Sequence, residues 1–489
     1  MTMKTNTVKG YPMIIGYLGF FMMLIGFIIL IPLVVLIFDP SEIKDAYFWI
    51  IPGVSSLILG YLMSQTLKGR KAEKLERHQD AVLLVSIWIL AIFISSFPLF
   101  LSGDYTFSES IFEATSGYST TGLSVVDVTN ASKMLLLYRS IMQFIGGIGL
   151  VLVLTSAISD KYGMRLYHAE GHNDKLLPNL ARSARLILSL YSLYIVLGVI
   201  AYTAFGMSFF DAINHSIASL STGGFSTRLE SIGYYASFPI EIITMILMLL
   251  GSTNMIIHLM IFKGKFKKAM QHIEMRLFLW VTILFIGLLW VTISRAYDLF
   301  SLRQALFQYV SAITTTGFQT VPSFNALPSI FNFGVIILMI VGGQAGSTSG
   351  GIKQYRVGLM FKELYWNIRD RLSHQRTIHT YDIFKFGKKT DIEPEDLYYN
   401  HSFIMIYMMA LVIGTSIFML YGHSLEASLF EFSSSLGTVG LSIGIIGTQT
   451  PAVLLWTSTI GMFLGRLEFF VVIIAFSSMV LKITKKKVL

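Results

Sequence analysis

The sequence contains no cysteine. Disulfide cross-links and thiolate metal sites are therefore excluded, and cysteine usage gives no indication of the redox compartment. Charged residues are also scarce, at 13% of 489 residues, whereas soluble domains carry roughly 25%. A chain this poor in charge, with 54% hydrophobic residues, is suited to lipid rather than to water.

Long apolar runs fill most of the chain. Each has about the 20 residues that a helix needs to cross the ~30 Å hydrocarbon layer. They lie near residues 13–37, 47–66, 82–101, 135–158, 186–205, 239–262, 277–294, 331–361, 402–421 and 452–481. Barrel strands would alternate in polarity over about ten residues, so these runs predict an all-α polytopic membrane protein. The first run is too long for a signal peptide and lacks a small-residue cleavage site, so we expect a retained helix.

The net charge of +9 invites a nucleic-acid interpretation, but the positions of the charges argue against it. If the amino terminus is cytoplasmic, most Lys and Arg residues lie on the cytoplasmic side, as the positive-inside rule requires. They cluster in residues 68–77, 161–185, 263–268, 353–400 and 485–487. We therefore predict a multi-pass protein of the cytoplasmic membrane that contacts the lipid bilayer and no nucleic acid.

A glycine- and hydroxyl-rich segment recurs four times, each time between two apolar runs. The copies align without gaps as "FEATSGYSTTGLS" (112–124), "NHSIASLSTGGFS" (214–226), "FQYVSAITTTGFQ" (307–319) and "FEFSSSLGTVGLS" (430–442). The pattern predicts four pseudo-symmetric helix–pore loop–helix repeats around a central pore, preceded by two extra helices. The expected division is 1–78 for the two N-terminal transmembrane helices, 79–160, 161–270 and 271–362 for repeats 1 to 3, 363–400 for a cytoplasmic basic loop and 401–489 for repeat 4.

The repeated segments suit a cation pathway. About twelve helical residues before each glycine rise ~18 Å, which enters the membrane without crossing it. Irregular backbone at that depth is tolerated when it lines a watery cavity, and rings of carbonyl oxygens replace the hydration shell of a monovalent cation. Ordinary polar loops are the alternative, and four copies in register argue against it. The expected filter residues are Thr120, Thr121, Gly122, Thr222, Gly223, Gly224, Thr315, Thr316, Gly317, Thr438, Val439 and Gly440.

One polar residue stands nine positions before each of these glycines. The four are Glu113, His215, Gln308 and Glu431. Because buried polar groups need partners, we expect them to brace the filter backbone from behind. Contact with water in an outer vestibule is the alternative interpretation, and direct ion binding by the carboxylates is a further one.

Two features lie below the expected filter. The segment "GGQAGSTSGG" (342–351) breaks its apolar run and could obstruct the pore, although a small-residue packing face is an alternative. Walker A spacing of Gly346 and Gly351 fails because Ile352 replaces the required lysine. Arg466 lies deep in the last run, where a charge needs water or a partner, and Glu468 is too close in sequence to face it on a helix. We expect Arg466 to face the pore, while the role of Lys353 is left open.

Together with "FLGRLEFF" (463–470), these segments resemble the Trk/Ktr/HKT superfamily of potassium transporters, most closely its bacterial TrkH/TrkG branch. The resemblance implies a potassium filter with potassium bound at the residues named above, Arg466 as the gate arginine, a homodimer, and a cytoplasmic TrkA-like ring of nucleotide-binding regulatory subunits. It implies potassium as substrate and no cofactor. It also implies an intramembrane gating loop, 342–353, with Gly343, Gly346, Ser347, Thr348, Ser349, Gly350 and Gly351.

The resulting prediction is potassium uptake rather than an enzyme. A negative interior favours cation uptake by about 2.3 kcal/mol per charge per 100 mV, so no chemical step is required. Symport coupled to protons or sodium is the alternative. A membrane hydrolase would need a base beside a serine. The candidate base is His258, at the cytoplasmic end of its run, and a hydrolase would leave the fourfold repeat unexplained.

Overall fold

The computed structural model describes residues 7–8, 10–68, 71–72, 78–149, 180–296, 302–374, 377 and 379–486. The predicted basic clusters at 68–77 and 161–185 therefore lie largely outside the described residues. Helices dominate these ranges, which confirms the predicted helical membrane fold. They are α1 Tyr11–Leu30, α2 Tyr47–Ser64, α3 Gln79–Ser95, α4 Phe97–Ser102, α5 Phe107–Tyr118, α6 Lys133–Ile148, α7 Leu180–Ala204, α8 Phe209–Leu220, α9 Phe238–Ser252, α10 Met255–Phe262, α11 Phe266–Met270, α12 Ile273–Ala296, α13 Leu302–Ile313, α14 Ser329–Val341, α15 Gln354–Leu372, α16 Pro394–Leu420, α17 Leu425–Leu436, α18 Ala452–Leu467 and α19 Phe469–Lys486.

Five uninterrupted helical stretches in the described ranges are long and apolar enough to cross a membrane. They are Tyr11–Ile37, Tyr47–Leu67, Gln79–Ser102, Ala184–Ala204 and Pro394–Leu420. Each coincides with one of the predicted apolar runs. The first of them ends in a 3₁₀ segment, Ile31–Ile37, that continues α1.

Two predicted runs are bent rather than continuous. Helices α9 and α10 meet at 109°, and α18 and α19 meet at 102°. At the second bend Glu468 adopts a positive φ of 61°, which ends the helical hydrogen-bonding pattern one residue after α18. The predicted runs 239–262 and 452–481 are therefore each divided into two helices, because hydropathy reports the apolar length of a segment and not its direction.

The second helix of every repeat ends at a similar distance along the chain from the glycine of its repeat. Helix α6 stops before Gly149, α9 before Thr253, α14 before Gly342 and α18 before Glu468. The run 331–361 is interrupted as predicted, since residues 342–353 are non-helical. The end of the run 135–158, from residue 150 onward, lies outside the described residues.

The short helix of each repeat packs in a cyclic order. Helix α5 lies between α6 of its own repeat and α18 of repeat 4, and α8 lies between α9 and α6. In the same way α13 contacts α14 and α9, and α17 contacts α18 and α14. The short helix of each repeat therefore packs against the second helix of the preceding repeat, and the four repeats close around a common axis.

The two leading helices cross at glycines. A Cβ atom on Gly19 would lie 2.6 Å from the carbonyl oxygen of Gly60, and one on Gly60 would lie equally close to that of Gly19. Small residues allow this close backbone approach, which favours helix association in lipid. Residues that follow α1 then cap α6, because Glu42 accepts hydrogen bonds from the backbone N–H groups of Lys133 and Met134 at 2.7 and 3.0 Å.

The predicted basic loop at 363–400 contains regular structure. Helix α15 continues to Leu372, and strands β3 (Asp382–Lys385) and β4 (Lys388–Asp391) form an antiparallel hairpin before α16 begins at Pro394. A second, parallel pair joins β1 (Thr7–Val8) to β2 (Lys71–Ala72). The hairpin packs on the start of α12, where the Arg276 guanidinium lies 5.6 Å from the centre of the Phe384 ring.

Candidate ion pathway

Each repeated segment begins with a short helix whose length is the same in all four repeats. Helices α5, α8, α13 and α17 each have 12 residues, as the sequence predicts, and each ends four positions before its glycine. Side chains of Thr106, Ser208 and Ser424 cap three of them by accepting a backbone N–H of the first turn. All four carboxyl-terminal ends therefore point toward the loops, where their partial negative charge favours a cation.

The backbone turns sharply at a threonine after each helix. Thr120, Thr222, Thr315 and Thr438 have φ of 55°, 51°, 53° and 49°. Positive φ in a β-branched residue is strained and is found mainly where surrounding structure enforces it. Here it turns the next N–H back onto the helix, as in the 2.9 Å bonds from Thr121 to the Ser116 carbonyl and from Thr316 to that of Ser311. No feature of the sequence marked these threonines for left-handed backbone.

The four glycines form a ring in which each loop contacts the next. All four have positive φ: 92° at Gly122, 71° at Gly224, 89° at Gly317 and 96° at Gly440. A Cβ atom on any of them would overlap the carbonyl oxygen of the residue just before the glycine of the following loop. The pairs are Gly122 with Gly223, Gly224 with Thr316, Gly317 with Val439 and Gly440 with Thr121.

The polar residues nine positions earlier contact the chain just beyond the ring. Glu113 accepts hydrogen bonds from the Ser124 hydroxyl at 3.0 Å and the Val125 N–H at 3.1 Å. Glu431 accepts from the Ser442 hydroxyl at 2.7 Å and from two further backbone N–H groups. Both carboxylates are fully buried. They hold the outgoing segment after the glycine rather than the ring carbonyls themselves.

The other two members of the column also contact the chain beyond their glycines. The Nε2 atom of His215 lies 2.9 Å from the Ser226 hydroxyl. The side-chain amide of Gln308 donates to the Thr320 hydroxyl at 3.4 Å. All four members therefore contact a residue two or three positions beyond their glycine, and a bracing role stays a prediction.

Arg139, which the sequence analysis does not single out, joins the first two repeats. Its guanidinium forms a 2.7 Å ion pair with Glu113 in which both side chains are buried. It also donates to the Ser124 hydroxyl at 2.8 Å and lies 4.0 Å from the centre of the Phe225 ring. An arginine within an apolar run, in the same repeat as a buried glutamate, was the signal that could have found it.

Loss of Arg139 is expected to destabilise the fold. Arg139→Ala leaves the Glu113 carboxylate buried without its cation, and breaking one side of such a pair costs about 3–5 kcal/mol. We expect a lower midpoint of thermal unfolding in detergent, whereas Arg303→Ala, which breaks the more exposed pair with Glu241, should shift it less. Equal shifts for the two variants would show that the buried pair has no special weight.

The segment 342–353 lies beneath the ring and contacts three of the four loops. The Thr348 hydroxyl is 2.9 Å from that of Thr222, and the Ser349 hydroxyl donates to the Thr314 carbonyl at 2.7 Å. The Gly350 N–H donates to the Thr315 hydroxyl at 2.7 Å. A Cβ atom on Gly350 would overlap the Gly437 carbonyl, so the segment also contacts the fourth loop.

The remaining predicted members of this segment shape the segment itself. Gly346 and Gly351 have positive φ of 67° and 74°. The Ser347 hydroxyl donates to the Gln344 carbonyl at 2.6 Å. A Cβ atom on Gly343 would overlap the side chain of Ser349. The segment is non-helical and its glycines are closely packed, so both a gating role and a packing role stay predictions.

Arg466 connects this segment to the first repeat. Its guanidinium donates to the Thr348 carbonyl at 2.6 Å, to the Gly147 carbonyl at 3.3 Å, and to the Gly146 carbonyl. Gly146 and Gly147 belong to the end of α6, and Arg466 lies in the last turn of α18. The segment 342–353 and Arg466 together therefore contact elements of all four repeats.

The two charged neighbours of Arg466 have other partners. Glu468 accepts two 2.9 Å hydrogen bonds from Arg356 on α15, which agrees with the expectation that it does not pair with Arg466. The Lys353 ammonium donates to the Ser349 carbonyl, so this side chain turns back to the segment 342–353. These contacts locate a group of charges beside the segment 342–353.

Two cavities flank the ring. The larger one, of about 420 Å³, is lined by all four ring glycines together with Arg139, Arg228 and Asn325. The smaller one, of about 40 Å³, lies beside the segment 342–353 and is lined by residues that include Lys353, Arg356, Arg466 and Glu468. Among the described residues, no group of three or more His, Asp or Glu side chains could hold a metal ion.

A model of the TrkH family, described as a cation transport protein, matches residues 53–482 of this chain. The chain is 30% identical over 487 residues to an uncharacterized cation transporter of Methanocaldococcus jannaschii, with 97% of each chain covered. It is 31% identical over 481 residues to the Trk system potassium uptake protein TrkG of Escherichia coli, with 94% of this chain and 96% of the relative covered.

The crystal structure of the potassium transporter TrkH from Vibrio parahaemolyticus has a similar fold. The TM-score is 0.83 at 24% sequence identity, and the match covers 95% of this chain and 98% of that one. At this level of identity the similarity supports the fold.

Proposed function

Because this chain belongs to the TrkH family of cation transport proteins, we propose that it takes up potassium ions across the cytoplasmic membrane through the ring of its four loops. The observation that carries this proposal is the closed succession of ring glycines and carbonyl oxygens in chain order. Such carbonyls replace the water around a potassium ion, and four helix ends add negative potential. The relatives are transporters rather than enzymes, in agreement with the sequence prediction.

In this proposal, the ring residues, from the threonine to the glycine of each loop, bind potassium as substrate. Positive φ at the threonine and at the glycine turns successive peptide units, which brings carbonyl oxygens toward the axis. The fourth loop carries Val439 where the other loops have threonine or glycine. Since the oxygens are supplied by the backbone, valine at this position keeps the carbonyl and changes only the support behind it.

The segment 342–353 acts as the gate in this proposal. It lies on the inner side of the ring, where it would obstruct ion passage, and Arg466 ties it to α6. A positive charge at this position also repels a cation that approaches from the ring. Opening then requires that the contacts of Thr348, Ser349 and Arg466 are released together.

A cytoplasmic regulator would have a mechanical route to this gate. The Ala345 N–H donates to Glu274 at 2.7 Å near the start of α12, and the hairpin packs on the same part of α12, with the Phe386 ring 4.7 Å from that of His272. We propose that a nucleotide-binding ring of regulatory subunits docks on this side of a homodimer. The amino terminus would then be cytoplasmic, as the basic clusters predict.

Coupled symport with protons or sodium is the second candidate. The buried carboxylates nearest the ring are Glu113, which is paired with Arg139, and Glu431, which accepts three hydrogen bonds. Carboxylates with these partners are suited to a structural role rather than to proton exchange. Uniport is therefore the function that these contacts favour.

Reconstituted protein tests the proposal. The full-length chain in liposomes is expected to carry potassium faster than sodium under equal gradients, and titration calorimetry should show tighter binding of potassium. Calorimetry does not depend on an open gate, so a closed gate and a missing filter give different results. Absence of preferential potassium binding would overturn the proposed filter, and potassium flux that requires a proton gradient would favour symport.

A further inference from the structure

Gln143 lies on α6, outside the loops, and yet its side chain contacts the ring. It is fully buried. Its amide Nε2 donates to the Gly223 carbonyl at 2.5 Å, and its Oε1 accepts from the Phe225 N–H at 3.4 Å. One amide of the first repeat is thus bonded to the second loop on both sides of Gly224.

The amide occupies the space that a side chain would fill at residue 223. A Cβ atom on Gly223 would lie 2.6 Å from Oε1 and 2.7 Å from Nε2 of Gln143. Such distances are far shorter than ordinary contact, so a side chain at residue 223 would displace the Gln143 amide from its position. Gly223 is therefore needed at this position because of Gln143, independently of its own backbone conformation.

In the other loops, the residue just before the ring glycine has a side chain of its own that packs within the loop. In loop 1 the Thr121 hydroxyl lies 2.6 Å from that of Ser119, and in loop 3 the Thr316 hydroxyl lies 2.8 Å from that of Thr314. Loop 4 has Val439, whose side chain is buried. Loop 2 alone has no side chain at this position, and Gln143 supplies the missing support from the neighbouring helix.

The corresponding positions on two other second helices, α9 and α18, are apolar. Gly146, Gly251 and Gly465 each approach the last carbonyl of the short helix in their own repeat, which aligns α6, α9 and α18. Three residues before these glycines stand Gln143, Met248 and Met462. Of these three residues, only Gln143 is polar, and it lies on α6, next to the loop that has Gly223 where the other loops have a side chain.

We propose that Gln143 is a positioning residue for ion selectivity, which it exerts by fixing the direction of the Gly223 carbonyl. A carbonyl oxygen has two lone pairs, so one accepts the amide hydrogen and the other stays available to an ion. Selectivity of a carbonyl ring depends on where its oxygens are held and on their number. This inference rests on the proposed filter and adds a residue outside it.

The first test is Gln143→Met, which matches the volume and places the residue of α9 and α18 at this site. A buried acceptor loses its donor, and we expect the potassium-to-sodium ratio, in flux and in binding, to fall about tenfold. The matched control Met462→Leu should keep the wild-type ratio. An unchanged ratio in Gln143→Met would overturn the inference.

The second test uses the steric exclusion between the two positions. Gly223→Thr alone should abolish selective potassium binding, because threonine overlaps the Gln143 amide. Adding Gln143→Ala makes room, and the introduced threonine, beside Ser221, would then reproduce the Ser119 and Thr121 arrangement of loop 1. We expect the double variant to recover selective potassium binding. If binding in the double variant is instead reduced by the product of the two single-variant reductions, the proposal is contradicted, and this result does not depend on whether Gln143→Met folds.

Failure here is distinguishable from failure of the proposed function. If wild-type protein prefers potassium and both tests at 143 and 223 show no effect, the filter stands and Gln143 is only a core residue. If wild-type protein shows no preference for potassium, the proposed filter itself is wrong.

Discussion

Replacement of Gly122 by alanine is expected to reduce potassium flux by about 100-fold or more. Left-handed backbone costs an L-residue roughly 1–2 kcal/mol, and overpacking adds typically 1–3 kcal/mol. Both terms apply because Gly122 has a φ of 92° and its Cβ would overlap the Gly223 carbonyl. The overlap displaces an oxygen of the ring, so we expect potassium binding by calorimetry to be lost together with flux.

Gly447 provides the matched control for this variant. It follows the fourth loop, and a Cβ atom there would meet no other atom within 4 Å. Gly447→Ala should therefore keep wild-type flux and binding. If Gly122→Ala also kept them while remaining folded, the ring would not be the ion pathway.

Replacement of Arg466 by alanine is expected to raise potassium flux. Each hydrogen bond from a charged group contributes about 1.5–3 kcal/mol, and Arg466 donates to the carbonyls of Thr348, Gly146 and Gly147. Loss of even one such bond from the closed state alone shifts the gate about tenfold toward opening. Flux into liposomes without any regulatory protein is the measurement, and the potassium-to-sodium ratio should stay unchanged because the ring is intact.

Two further variants separate the contributions of Arg466. Arg466→Lys keeps the positive charge but not the planar guanidinium that reaches several carbonyls, so we expect an intermediate flux. Arg369→Ala, in the last turn of α15 where Arg369 pairs with Asp370, should leave flux unchanged. Equal flux in wild type, Arg466→Ala and Arg466→Lys would remove the arginine from the gate while leaving the ring as the pathway.

The repeated architecture was readable from the sequence because it depends on local and periodic properties. Apolar length predicts a helix that crosses lipid, and four aligned glycine-rich segments predict four short helices, which the structure gives as 12 residues each. The non-helical segment 342–353 was predicted for the same reason, since glycine density destabilises helix locally.

Only the tertiary structure decided which residues meet across repeats. Hydropathy does not encode direction, so the 102° bend after Arg466 followed from the positive φ of Glu468 and its pairing with Arg356. Gln143 and Arg139 bond to carbonyls of the second loop that lie 80 and 87 residues away in sequence. The sequence by itself determined the helical membrane fold and its fourfold repeat, because these arise from local composition; the closed ring and its supports depend on contacts that form only when the four repeats pack together.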